Sequence, residues 1–327
     1  MIKTCSNKIS ISVLLSVWLI ANSHAIADET YPTRHVTIVA PFAAGSGTDT
    51  AARIIAQILQ EGLGQPFVVE NRVGANGLLA GTAVARANPD GYTLLLTTSS
   101  THSVVYGLYK SVPYDPIKDF TPPITRIGSF PSFVAVNEGL PIHSIQELVT
   151  YAKSNPGKLS YGVGNSTGQI VGEAIKNRMG IDIVRVNYRS NPAAVSDLVA
   201  GHIQMMIPDF TTGMPQVDTH NIRPLAVLTR HRNPRLPDVP TLHETIMPNY
   251  DLLAWAGLFG PANLPPQVTK VLAAVIEKAL IEPGVQERLQ KSGTEVYWSG
   301  PQDFDAFVRS ELVKWTASIK EAGIEPQ

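Results

Sequence analysis

Cysteine is almost missing from this chain of 327 residues: only Cys5 is present, so no disulfide framework and no thiolate metal site is available. The eight histidines are scattered, without an H-E-x-x-H run or a His/Cys cluster at ligand spacing, and no metal or cofactor is expected. Charge is sparse, at 16% of residues with a formal net charge of −1, and no block of one sign stands out, which argues against a nucleic-acid surface. Beyond residue 27 no apolar run reaches the ~20 residues a membrane helix needs. The Gly-rich turn after Phe42 lacks both the Gly-Lys-Ser/Thr ending of a phosphate loop and a three-glycine dinucleotide spacing, so no nucleotide is implied.

What is present begins with an address. Lys3 and Lys8 precede the apolar run Ile9–Ile20, and Ala25-Ile26-Ala27 forms an A-x-A signal. Cleavage is predicted between Ala27 and Asp28, which removes Cys5 and places the mature protein in a periplasm. Cys5 lies before the apolar run, where it cannot serve as a lipoprotein cysteine. The remaining length predicts two domains, and an apolar content of 44% supplies a core for each.

The rest of the chain is organised around Val36–Ala52. Val36–Ala40 reads as a buried parallel strand, and a helix opens near Thr48–Asp49, with either residue able to cap it. Between them Phe42, Ala44, Gly45, Ser46 and Gly47 make a turn whose backbone N–H groups and helix dipole favour an anion. Strands and helices then alternate, the pattern of α/β layers. Phe67–Glu70 and Thr93–Thr97 are further strands, the second entering a hydroxyl loop of Thr98, Ser99, Ser100, Thr101, His102 and Ser103. Residues 112–124 are a Pro-rich connector, and Ser132–Val136 is a strand able to cross to a new unit. Ser144–Glu147 is a capping box. Leu159–Gly162, Ile183–Tyr188 and Ile203–Ile207 read as strands, with Pro192 opening a helix. Leu253–Phe259 is positioned to cross back, and amphipathic helices over Pro265–Ile281 and Pro301–Gly323 follow. Two crossings imply two lobes and a groove between them.

Gly164–Gly168 matches G-x-S-x-G between a strand and a helix. A hydrolase would use Ser166 with Asp197 or Asp209 and one of His220, His231 or His243. No HGGG-type oxyanion motif lies upstream, and a Gly/Ser/Asn-rich ligand turn explains the same residues. His102, a lone histidine, reads as a structural hydrogen-bonding residue or a ligand contact. Asp209 reads as a helix cap or a group facing the groove, Arg189 as a carboxylate partner or a surface residue, and Trp255 as packing.

Taken together, these segments resemble the solute-binding receptors of tripartite tricarboxylate transporters, the Bug (Bordetella uptake gene) group. The matching blocks are Tyr31-Pro32, Val39–Asp49, Gln65-Pro66 with Val69–Arg72, Pro89–Leu94, and Pro113–Pro116 through Phe120. Pro156–Leu159 with Tyr161-Gly162, Leu236–Thr241 and Gly257–Phe259 continue the match through most of the mature chain. The resemblance implies an α/β Venus flytrap with two crossing hinge strands that binds one small organic acid, without turnover, and delivers it to membrane permease subunits. The implied division is 28–130 with 253–327 as one domain and 131–252 as the other. The implied ligand groups are Phe42 to Asp49, Thr98 to Ser100 with His102, and Asn165, Ser166, Thr167, Gly168 and Gln169. Tyr188, Arg189, Ser190 and Asp209 complete them.

Three departures touch the ligand. Gly45-Ser46-Gly47 replaces a Gly-Gly pair, Ile170-Val171 stands where a His is common, and Val186–Ser190 reads V-N-Y-R-S rather than V-P-Y-K-G. Arg189 and the aliphatic replacement favour an aromatic or larger acid. A ligand-presenting partner of a membrane sensor kinase would share these features. A monomer is expected, because each apolar helix stripe has a burial role.

Overall fold

The computed structural model describes residues 31–327, so the leader and its cleavage point lie outside the described residues. The chain starts with β1 (Val36–Ala40), α1 (Gly47–Leu63), β2 (Phe67–Asn71), α2 (Leu78–Ala85), β3 (Thr93–Thr98) and α3 (Val105–Leu108). Next come β4 (Thr125–Phe130), β5 (Phe133–Asn137), α4 (Ile145–Ser154), β6 (Leu159–Val163), α5 (Ser166–Met179), β7 (Ile183–Asn187) and α6 (Asn191–Val199). Then follow β8 (Met205–Met206), α7 (Phe210–Asp218), β9 (Ile222–Val227), β10 (Ala254–Phe259), α8 (Pro266–Leu280), α9 (Pro283–Lys291), β11 (Glu295–Ser299) and α10 (Pro301–Glu321).

The strands form two mixed sheets. One runs β11-β4-β10-β3-β1-β2 and the other β7-β6-β8-β5-β9. In the first, β1 is parallel to both neighbours, whereas β10 is antiparallel to β3 and β4. Its central strands are largely apolar because helices cover both faces. Ile38, Leu94 and Leu96 pack toward α1 and α8, while Val39, Leu95 and Phe259 pack toward α2 and Phe304 of α10. The second sheet is covered the same way, with Val134, Val136 and Tyr161 on one side and Phe133, Ala135 and Met206 on the other.

The chain passes from one sheet to the other between β4 and β5, where only Pro131 and Ser132 intervene, and returns ahead of β10. The crossover is tied to the second lobe by Phe210 N–H donating to Pro131 O at 2.9 Å and Leu228 N–H to Ser132 O at 3.0 Å. α10 joins the two cores: its Trp315 and Ile319 are buried with Val104 and Leu108 of the first lobe and Val171 and Ile175 of α5.

Several expectations change. Ser46, not Thr48 or Asp49, caps α1, its Oγ accepting from Asp49 N–H. The hydroxyl loop after β3 is helical: Ser100–Val104 is a turn of π-helix running into α3. The strand expected over Ile203–Ile207 shrinks to β8, because Ile207 leads directly into Pro208. β4, α9 and β11 were not expected from the sequence. The capping box holds: Ser144 Oγ accepts from Glu147 N–H at 3.1 Å, while Glu147 reaches back to His143 N–H.

Candidate functional site

Each sheet ends in a strand, a glycine-bearing turn and a helix whose cap side chain faces the other lobe. In the first lobe, β1 leads through Phe42 to Ser46 and α1. Asp49, one turn in, fixes the turn from behind. Its carboxylate accepts from Gly45 N–H at 3.0 Å, from Arg53 Nε at 3.0 Å and from Asn71 Nδ2 at 2.9 Å. Burial pulls this carboxyl upward, but the hydrogen bonds from Arg53, Asn71 and Gly45 outweigh it and hold the group below its usual value. In the second lobe, β6 leads through Gly164 to Asn165, whose Oδ1 accepts from Gly168 N–H at 2.8 Å and caps α5. Two more helix starts stand beside it: α6, with Ser190 as its cap residue, and α7, capped by Asp209.

These elements enclose one cavity of about 30 Å³ between the sheets. From the first lobe it is lined by Phe42, Ser46, Gly47, Thr48, Thr98 and Ser100. From the second come Gly164, Asn165, Thr167, Asn191 and Asp209. Phe130, Ser132 and Ala254 close it at the crossover. Among the described residues, no lysine, arginine or histidine lines it. The lobes touch beside it, Ser100 Oγ lying 2.7 Å from Ser166 Oγ. At Gly47 an added Cβ would sit 3.1 Å from Thr211 Oγ1 and 3.5 Å from Asp209 Oδ1, so the start of α1 lies against α7.

Thus Phe42, Ser46, Gly47, Thr48, Thr98, Ser100, Asn165, Thr167 and Asp209 come together at the cavity. Ala44 and Gly45 are exposed on the outer turn, and Asp49 lies behind it. Ser99 is buried with no partner for its Oγ, and Ser166 is buried against Ser100. Gly168 serves the α5 cap. Gln169 and Tyr188 line an adjacent groove, where Tyr188 also donates to Asp197 Oδ2 at 2.7 Å. Arg189 is exposed on a neighbouring groove, and Ser190 is buried as the α6 cap residue.

His102 is not at the cavity. It is fully buried, stacked on Phe259 at 3.9 Å between centroids, with Nδ1 3.0 Å from Thr101 Oγ1. Burial pushes its pKa down to about 3, so it is a neutral core group. Trp255 is fully buried in the same aromatic cluster.

Sequence reasoning did not place Phe130, Ser132, Ala254 or Asn191. The first three sit in or beside the two segments read as crossings, but which of their side chains reach the cavity depends on how the two sheets meet there. Asn191, directly before Pro192, was legible only as part of a loop.

The hydrolase arrangement is not assembled. Ser166 Oγ meets Ser100, Asp197 is bonded to Tyr188 and His202, and Asp209 to Asn191 and Thr212. A nucleophile elbow also holds its serine in a strained turn. Ser166 opens a regular helix and is not among the positive-φ residues.

Two α/β lobes joined by a crossover, with helix starts of both meeting on one cavity, define a two-lobed binding protein of the periplasmic type. The chain belongs to the tripartite tricarboxylate transporter family receptors, whose sequence profile it matches over residues 51–324. It is similar to Rpa4515 of R. palustris, solved with adipate, at 35% identity and a TM-score of 0.88, covering 91% of this chain and 100% of that one. The periplasmic binding protein BugD is similar at 32% identity and a TM-score of 0.86, covering 91% and 100%. MatC of Rhodopseudomonas palustris, solved with malate, shares 30% identity with a TM-score of 0.82, covering 88% and 100%.

Proposed function

We propose that this chain captures a small organic carboxylate between its lobes in the periplasm and hands it to the membrane permease of a tripartite tricarboxylate-type transporter. The observation that carries this reading is the meeting of helix starts from both lobes, α1 on one side and α5, α6 and α7 on the other, at a single cavity rich in hydroxyls. The first N–H groups of a helix have no intrahelical acceptor, and its dipole is positive there, so such a cavity suits an anion. Hydrogen bonds to a charged group contribute on the order of 1.5–3 kcal/mol each, so a few of them hold a carboxylate without a buried cation. The adipate and malate bound to relatives support the same chemistry.

The Ser100–Ser166 contact joins the two lobes beside the cavity, so an acid enters when the lobes part and is enclosed when they meet. Binding then stabilises the shut form by its differential affinity for it. Phe42 and Phe130 give the wall an apolar share, which supports an acid with a hydrophobic or aromatic body. The proposed lobes are 28–130 with 253–327, and 131–252. The proposed working unit is a monomer released by cleavage before Asp28.

A thermal-shift screen of carboxylic acids against the mature protein tests this. One class of acid should raise the melting temperature and change tryptophan fluorescence, worth about 2.7 kcal/mol at a hundredfold excess over Kd. A panel of mono-, di- and tricarboxylates and aromatic acids with no effect would overturn the reading.

A further inference from the structure

The cavity's second-lobe wall carries an unusual pair. Asn191 is 3% exposed and Asp209 7%, and both line the cavity. Asn191 Nδ2 donates to Asp209 Oδ2. A carboxylate only accepts, so this bond fixes which way the amide faces and turns Oδ1 of Asn191 away from Asp209. That oxygen is buried and has no hydrogen-bond partner among the described residues. Gly164 lies directly against it, since an added Cβ there would come within 2.5 Å of Asn191 Oδ1 and 2.4 Å of its backbone nitrogen. Asp209 has donors from Thr212, N–H at 2.9 Å and Oγ1 at 3.1 Å, yet no cationic side chain pairs with it among the described residues.

A buried acceptor without a donor is costly, and so is a buried carboxylate without a counter-charge. Backbone N–H groups and hydroxyls nearby suit a ligand's own carboxylate, but they do nothing for Asn191 Oδ1. Resting on the carboxylate reading above, the geometry points to a specificity rule: Asn191 and Asp209 form an acceptor pair that selects an acid bearing a hydroxyl or ammonium donor beside its carboxylate. A plain acid of the same skeleton leaves the Asn191 oxygen unpaired, and of the two donors only an ammonium also opposes the Asp209 charge.

Calorimetry with sets that differ in one substituent tests the rule: succinate, malate and aspartate, and 3-phenylpropanoate, phenyllactate and phenylalanine. In whichever skeleton fits the cavity, the donor-bearing acids should bind about tenfold or more tightly than the plain one, the discrimination of one hydrogen bond to a buried polar group. Asn191→Leu should erase that ratio, chiefly by weakening the donor-bearing acids. Asp209→Asn keeps a cap oxygen for Thr212 and should lower the ammonium acids while largely sparing the hydroxy acids, a selectivity that a purely structural role would not produce. Equal affinity within each set, or a ratio unchanged in both variants, overturns the rule and leaves carboxylate capture standing. Binding of no acid in either set or in the wider screen overturns both.

Discussion

The two turns that face each other across the cavity follow one plan and are stiffened by different means. In the first lobe the turn is held electrostatically: Asp49 gathers Gly45 N–H, Asn71 and Arg53 behind the cap. In the second it is held by contact: Gly164 packs on the backbone of Ser190 and Asn191, leaving no room for a side chain, and no charge supports the Asn165 cap. The first turn therefore depends on a charge network, the second on close contact. Asp209, the only ionisable group on the cavity wall among the described residues, belongs to the contact-built side. Burial raises its pKa despite the bonds from Thr212 and Asn191.

The contrast breaks most sharply at Gly164. Gly164→Ala drives a methyl group into the Asn191 backbone, and overpacking of this kind costs about 1–3 kcal/mol. Urea denaturation should show that loss, and calorimetry should show a larger fall in affinity because Asn191 moves with it.

A pH series sharpens the first lobe's share. His102 is neutral in the fold, with its pKa near 3 against an ordinary 6.5. Above pH 6.5 both folded and unfolded states are neutral and pH has no effect through this group. Below it the unfolded chain takes up a proton that the fold refuses, so stability falls by about 1.4 kcal/mol per unit, or roughly 2 kcal/mol by pH 5. His102→Phe should flatten that slope in denaturation measured from pH 7 to 5.

Asp49→Asn comes next, with an expected loss of about 1–2 kcal/mol. Because the folded pKa of Asp49 is depressed, its contribution is present above the ordinary value of 3.8 and fades as pH falls below it. The variant should therefore differ from the wild type at pH 6 and converge with it in strong acid, as read by thermal melts.

Ser166→Ala is expected to have the smallest effect, about 0.5–1 kcal/mol on ligand affinity through loss of its contact with Ser100. Complete loss of an ester-cleaving activity in this variant would instead revive the nucleophile.

How far the sequence carried can be seen at particular residues. Ser46, Thr48, Thr98, Asn165 and Thr167 were legible because a buried strand followed by small and hydroxyl-bearing residues is a local pattern. His102 lies in the same stretch as Thr98 and Ser100, but its place is set by stacking on Phe259, more than 150 positions away, which no local pattern contains. β4 was hidden because its TRIGSF carries Gly128 and Ser129 where a strand reading wants bulk. β11, at the sheet edge, is only half buried, so its EVYWS lacks an apolar run. Arg189 looked like a carboxylate partner from its position at a strand end. The bend into α6 leaves it facing solvent, while its neighbour Asn191 turns inward.

Beside the cavity the lobes meet through two hydroxyls, Ser100 and Ser166, and neither carries charge. Dissolved ions weaken attractions between exposed charges over a Debye length of about 10 Å at 0.1 M, but have little hold on a dipolar contact this short. This contact should thus keep nearly the same strength in brackish and dilute surroundings. Salinity then reaches the meeting of the lobes through the partly exposed Arg178–Glu321 ion pair between α5 and α10, and through the guest's own charge.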